Sequence, residues 1–159
     1  MTNPTFITSS YFPTGMPQPD PDDPVSAGHW AACAEGRFTV QRCRDCDTAQ
    51  HPPELNCHHC HGFDLHWVDA APAGRAATGP TTGKVWSHVT PAHPAHPALK
   101  DHGPYNVSLI QLDDVPEIRV IGNVIDIDPA QVQIGLAVEV VFERTTDDLV
   151  QPRWRPRDQ

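Results

Sequence analysis

Four of the five cysteines lie in one short stretch, CRDCDTAQHPPELNCHHCHG, as two C-x-x-C pairs, Cys43/Cys46 and Cys57/Cys60, with ten residues between the pairs. Each pair can close a tight turn that aims two thiolates at one point, and two such turns complete a tetrahedron around Zn²⁺. A disulfide framework would need an oxidising compartment and would leave Cys33 odd. A thioredoxin-like redox pair would need a helix in a βαβ setting, and no such setting is read here. His58, His59 and His61 flank the second pair and could exchange in as ligands, although four thiolates already fill the shell. A four-thiolate site keeps no open position for water or substrate, so the zinc is expected to be structural. Its binding free energy, about 10–16 kcal/mol, can hold together a segment too small for a core of its own.

Other chemistry is sparse. The chain holds no G-x-S-x-G elbow, no P-loop and no dinucleotide fingerprint, so no catalytic residue is assigned. Cys33, next to Trp30 on an apolar helix face, reads as a small buried hydrophobe rather than a nucleophile. His93, His96 and His102 share the loop PAHPAHPALKDHGPY, which either supplies metal or acid–base groups or is a solvated, Pro-stiffened connection. Asp113/Asp114 and Asp126/Asp128 stand at strand ends, where acids usually make turns. Trp86, His88, Tyr105 and Asn106 are the residues expected to touch a ligand or partner; ordinary barrel core or rim is the alternative for the two aromatics. RWRPR (153–157) is the one dense basic cluster, and reads either as an anion contact or as a solvated tail.

The elements that must position these groups follow from pattern. The 159 residues suit one domain with an appendage or two very small ones, and 20 acidic against 11 basic residues give a net charge of -9. That field opposes a nucleic-acid partner. No basic n-region with an apolar h-region opens the chain, and no apolar run approaches the ~20 residues of a membrane span. A cytoplasmic protein with no membrane partner is therefore expected. Residues 1–24 read as a flexible or wrapping arm with many prolines. Residues 25–72 read as a helix, started by Ser26 and stopped by Gly36 with Trp30, Cys33 and Ala34 on one face, followed by a zinc ribbon. Its return strand is expected to align Phe63, Leu65 and Trp67. Residues 76–156 read as mainly β, with strands in 83–90, 105–113, 117–126 and 137–145. A weaker fifth lies in 149–156, confined by its prolines to an edge. Five short strands suggest the five-stranded OB-fold barrel.

In this order, QRCRDCDTAQHPP, CHHC, GKVWSHVT, GPYNVSLIQLD, IRVIGNVID and IGLAVEVVFE resemble the family catalogued as domain of unknown function thirty-five. The resemblance covers about residues 25–156. It implies a rubredoxin-like zinc ribbon joined to an acyl-CoA-associated OB-fold. It further implies an auxiliary, non-catalytic subunit that docks onto a thiolase-like enzyme (a retro-aldolase or acyltransferase) and helps organise an acyl-CoA site, as in steroid side-chain degradation. The ribbon and helix would then serve as a docking arm. The alternatives are a partner of a hot-dog-fold enoyl-CoA hydratase, or a free-standing acyl-CoA enzyme that uses barrel-face histidines.

Overall fold

The computed structural model describes residues 4–70 and 80–157; the expected boundary between the ribbon (25–72) and the barrel (76–156) lies outside them. Helix α1 (Ala27–Ala34) precedes a three-stranded ribbon of order β3–β2–β4, built from β2 (Thr39–Cys43), β3 (Ala49–Gln50) and β4 (Leu65–Asp69). The barrel follows with β5 (Thr82–Val89), β6 (Val107–Leu112), β7 (Arg119–Gly122), β8 (Ala137–Arg144) and β9 (Val150–Pro156). These strands run antiparallel in the order β7–β6–β5–β8–β9. A parallel bridge from Val124 to Trp154 curls the two ends of the sheet together. It carries hydrogen bonds from Trp154 N–H to Asn123 O (3.0 Å) and from Ile125 N–H to Trp154 O (2.7 Å). This is the mainly β, OB-type barrel that the strand pattern anticipates.

Several local expectations are corrected. Ser26 stands at the helix start without capping it through its side chain. Its hydroxyl donates to Asp23 Oδ2 (2.7 Å) and accepts from the Trp30 indole (3.0 Å). The buried helix face is His29, Ala32 and Cys33, whereas Ala34 is exposed. His29 turns inward because its ring Nδ1 donates to Thr39 O (3.0 Å). Gly36, at φ 75°, ends the helix in the left-handed conformation that glycine adopts at no steric cost. Phe63 lies before β4, not in it, and is 79% exposed.

β9 pairs with β8 along its whole length, from Val150 opposite Arg144 to Pro156 opposite Val138. Amide direction alternates along a strand. Because Trp154 turns its N–H to Asn123, Pro152 and Pro156, two residues away on either side, also face away from β8 and cost its ladder no hydrogen bond. The arm is drawn into the same sheet. β5 covers β8 only from Ala137 to Glu139, and β1 (Phe6–Ile7) takes the edge beyond, pairing parallel with Phe142 and Glu143.

Ribbon and barrel bury one continuous cluster. Cys33, Phe38 and Val40 belong to it together with Ile110, Val120, Phe142 and Trp154. The joint is aromatic, with the Phe38 and Trp154 rings 5.7 Å apart. Trp154 in turn lies so close over Gly122 that a Cβ there would fall 2.7 Å from the indole. Among the described residues no helix is long and apolar enough to cross a membrane.

Candidate metal centre and ligand face

The two knuckles are near copies. Asp47 N–H donates to Cys43 O (3.0 Å) and His61 N–H donates to Cys57 O (2.9 Å), each from a residue with φ near 61°. Asp and His tolerate that left-handed backbone better than most side chains. The turns bring Cys43 Sγ to 3.6 Å from Cys60 Sγ, and Cys46 Sγ to 3.6 Å from Cys57 Sγ. All four sulfurs lie within 4.8 Å of one another. A tetrahedron with Zn–S bonds of ~2.3 Å has S···S edges of about 3.8 Å, so the cluster fits the ion. The sulfurs are not equivalent. Cys46 Sγ and Thr48 Oγ1 share a hydrogen bond at 3.2 Å that holds the Cys46 pKa down to about 5. Against the pull of the Gly62 amide, hydrogen bonding with the neighbouring thiols pushes Cys60 up to about 12. His59 N–H donates to Cys57 Sγ at 3.4 Å. Four thiolates saturate the metal, so its task is structural: it ties β2 to the loop between β3 and β4.

The expected contact residues fall into two places. Trp86 is half exposed on the outside of β5, with the Arg119 guanidinium 3.9 Å over its ring. His88 lies two residues on, partly buried. Tyr105 and Asn106 are instead buried beneath the arm. Phe12 packs edge-on against Tyr105, with ring centres 5.6 Å apart. The Asn106 amide donates to Val124 O (2.6 Å), and its Oδ1 accepts from Val124 N–H (2.9 Å) and Ser108 Oγ (2.9 Å). Asn106 thus laces the start of β6 to the end of β7.

The histidine loop is divided in the same way. His102 donates from Nε2 to Tyr11 O (2.7 Å), while His96 caps the 3-10 turn Pro97–Leu99 by accepting from Ala98 N–H (3.2 Å). His93 lines a cavity of about 270 Å³ with Lys100 and Tyr105. Cys33 is sealed inside, where burial pushes its pKa up to about 12. Its sulfur lies 3.6 Å from His29 Nε2.

RWRPR is neither a tail nor an open anion site, because residues 153–156 lie in strand β9 and each arginine, Arg157 beyond the strand included, is paired with a carboxylate. Arg153 pairs with Glu143 (2.6 Å), Arg155 with Glu139 (2.6 Å) and Arg157 with Asp113 (2.9 Å). The first pair is buried on both sides, and Glu143 also accepts from Tyr11 N–H (3.0 Å). Sequence reasoning missed Glu143. The available signal was AVEVVFE, whose apolar residues occupy both strand parities, as in a strand covered on both faces.

A closed four-thiolate ribbon on a small OB barrel, sharing one core with it, defines a class of zinc-stapled binding or scaffold modules. Residues 30–66 match the ChsH2 rubredoxin-like zinc ribbon domain, and residues 67–143 match the ChsH2 C-terminal OB-fold domain. The chain belongs to this zinc-ribbon and OB-fold family, the DUF35 proteins. It is 34% identical over 125 residues to a probable enoyl-CoA hydratase alpha subunit of Thermomonospora curvata, a match that covers 79% of this chain but only 35% of that protein. The chain therefore spans about a third of that relative. It is 28% identical over 107 residues to a DUF35 domain-containing scaffold protein of Methanocaldococcus jannaschii, covering 67% of this chain and 68% of that one. Among solved structures it resembles a chain of an Ltp2-ChsH2(DUF35) aldolase, at 32% identity and a TM-score of 0.69 over 89% of this chain and 98% of that chain.

Proposed function

We propose that this chain is an auxiliary, non-catalytic subunit that docks onto an acyl-CoA enzyme of thiolase-like type, a retro-aldolase or acyltransferase, and helps organise its acyl-CoA site. The observation that carries the reading is chemical. The metal shell is full of thiolates, and the thiol outside it, Cys33, is buried with its histidine neighbour His29. A reacting group on a substrate would meet neither. A role through binding fits such a chain better than turnover by its own side chains, including the histidines of the barrel loop. The aldolase named for the structural neighbour, 32% identical to this chain, supports a lyase-type partner. A steroid-derived or other branched acyl group, handled in the cytoplasm, is the substrate that accords with such a partner.

A second reading is favoured by the Thermomonospora relative, named as a hydratase subunit. In it, the partner is a hot-dog-fold enoyl-CoA hydratase. Purifying the tagged chain from its host and identifying stoichiometric companions by mass spectrometry separates the two. A thiolase-like companion supports the first reading and a hydratase the second. Recovery of the chain alone, as a zinc-loaded monomer or homodimer, refutes both.

A further inference from the structure

The outward face of β5, β6 and β7 carries several side chains that the fold leaves wholly or partly exposed, although Gln111 among them donates to Pro116 O (2.7 Å). Register places Lys84, Gln111 and Arg119 in one row across the three strands, and Ser87, Leu109 and Ile121 in the next. Inward neighbours such as Val85, Ile110 and Val120 are buried, so these two rows point to the outside. Register shifts between Val85 and Ser87, which makes Trp86 the extra residue of a bulge and leaves its indole on the surface. Bulges re-aim side chains in this way and recur beside functional surfaces. On the other side of β5, Gly135 N–H donates to Val85 O (2.8 Å), and the preceding residue, Ile134, is 71% exposed. The result is an apolar stripe running from Trp86 through Leu109 to Ile121 (76% exposed), with Val89 (59%) at its margin.

Charge identifies what would cover the stripe. In the ribbon and helix, Arg37, Arg42 and Arg44 each have a carboxylate within 3.3 Å or closer, although Leu55 and Phe63 are exposed there. Among the described residues Lys84 and Arg119 make no ion pair, yet both stand on the stripe's border, with Arg119 held in place by Trp86. An exposed Trp stacked with an unpaired Arg beside aliphatic side chains is the composition of a protein-binding hot spot. A nucleic acid would need more cations than these two, on a chain whose net charge is -9.

We infer that this outer barrel face, more than the ribbon, is the surface that docks on the partner enzyme subunit, meeting an apolar patch edged by a carboxylate that Arg119 receives. The inference rests on the partner-subunit reading above. Its test uses the full-length, zinc-loaded chain and the enzyme subunit recovered with it from the host. Affinity is titrated for the wild type, Trp86→Ala, Arg119→Glu and Ile121→Glu, with Phe63→Ala as the ribbon comparison. The first three should each weaken binding at least about tenfold, with zinc content and thermal midpoint kept, while Phe63→Ala leaves it unchanged. Where a glutamate unfolds the barrel, Arg119→Gln and Ile121→Ser replace it. Unchanged affinity for the barrel variants, or loss through Phe63→Ala alone, overturns the assigned face and leaves the partner role standing. A host preparation without any enzyme subunit overturns the partner role and the docking surface together. Trp86-dependent binding of a single-stranded oligonucleotide at near-physiological salt overturns a protein occupant.

Discussion

Removing one member of the Glu143–Arg153 pair should cost this protein more than any single surface change. The pair is 2.6 Å long, with side-chain exposures of 8% for Arg153 and 2% for Glu143. Breaking such a pair strands the other charge in the interior, at about 3–5 kcal/mol. For a chain of this size each kcal/mol lowers the thermal midpoint by about 2–4 °C, so Glu143→Gln should lower Tm by about 6–20 °C. Replacing both charges, in Glu143→Leu with Arg153→Met, removes the stranded ion. It leaves mainly the Tyr11 N–H without its acceptor, a penalty of about 1–3 kcal/mol. The double variant should therefore be more stable than Glu143→Gln. Thermal and urea unfolding of zinc-loaded protein measure both, and limited proteolysis within residues 8–18 reports whether the arm has come loose. A Glu143→Gln penalty below about 1 kcal/mol, or a double variant whose loss is the sum of the singles, would refute the claim that the pair is desolvated and coupled.

The metal site and a buried histidine supply two more expectations. Cys43→Ser should reduce bound zinc to a small fraction of one ion per chain, measured by elemental analysis. It should also lower the unfolding midpoint of the barrel, because Val40 and Phe38, on or next to the strand that carries Cys43, belong to the barrel's core cluster. His51 packs against His29 and Phe38, and burial, reinforced by His29, pushes its pKa from 6.5 down to about 3. A histidine with a depressed folded pKa binds fewer protons than in the unfolded chain. Its stabilising contribution is therefore complete above about pH 6.5 and falls as pH drops towards 3. At pH 5 the loss should reach at most about 2 kcal/mol. His51→Phe should flatten the urea midpoint between pH 7 and pH 5; an unchanged slope would show that His51 is not the group responsible.

Features set by short-range chemistry could be read from the chain, while those set by distant partners could not. The C-x-x-C spacing determines a knuckle regardless of what surrounds it, so the four ligands and their closed shell were legible. Val- and Ile-rich alternation likewise marked the strands of the barrel. The sequence pattern gave Asn106 no sign that it would be buried, because its partners Val124, Asn123 and Tyr11 lie 17 to 95 residues away. The charge of RWRPR suggested an open cation cluster for the same reason: its acids come from strand β8 and from Asp113. The arm's low apolar content said only that it would not fold alone. Its Phe6, Tyr11 and Phe12 find their places on a sheet edge and loop that exist only once the barrel has formed.

The shared core also decides how far the metal's influence reaches. Zinc fixes Cys43 at the end of β2, and β2 runs back to Thr39, next to Phe38. Phe38 packs on Trp154, whose backbone carries the bridge that curls the sheet and whose indole lies over Gly122 at the end of β7. β7 presents Arg119 and Ile121 to the outside. The path from the thiolates to the outer barrel face is therefore continuous packing, with no loop to absorb a displacement. Loss of zinc and a change at Arg119 should consequently weaken partner binding for different reasons. The first disturbs the support beneath the face while its surface side chains are intact. The second reverses a charge on an intact support. Measured at matched fold content, Arg119→Glu should change the salt dependence of association, whereas a metal-free chain should lose affinity with little change in that dependence.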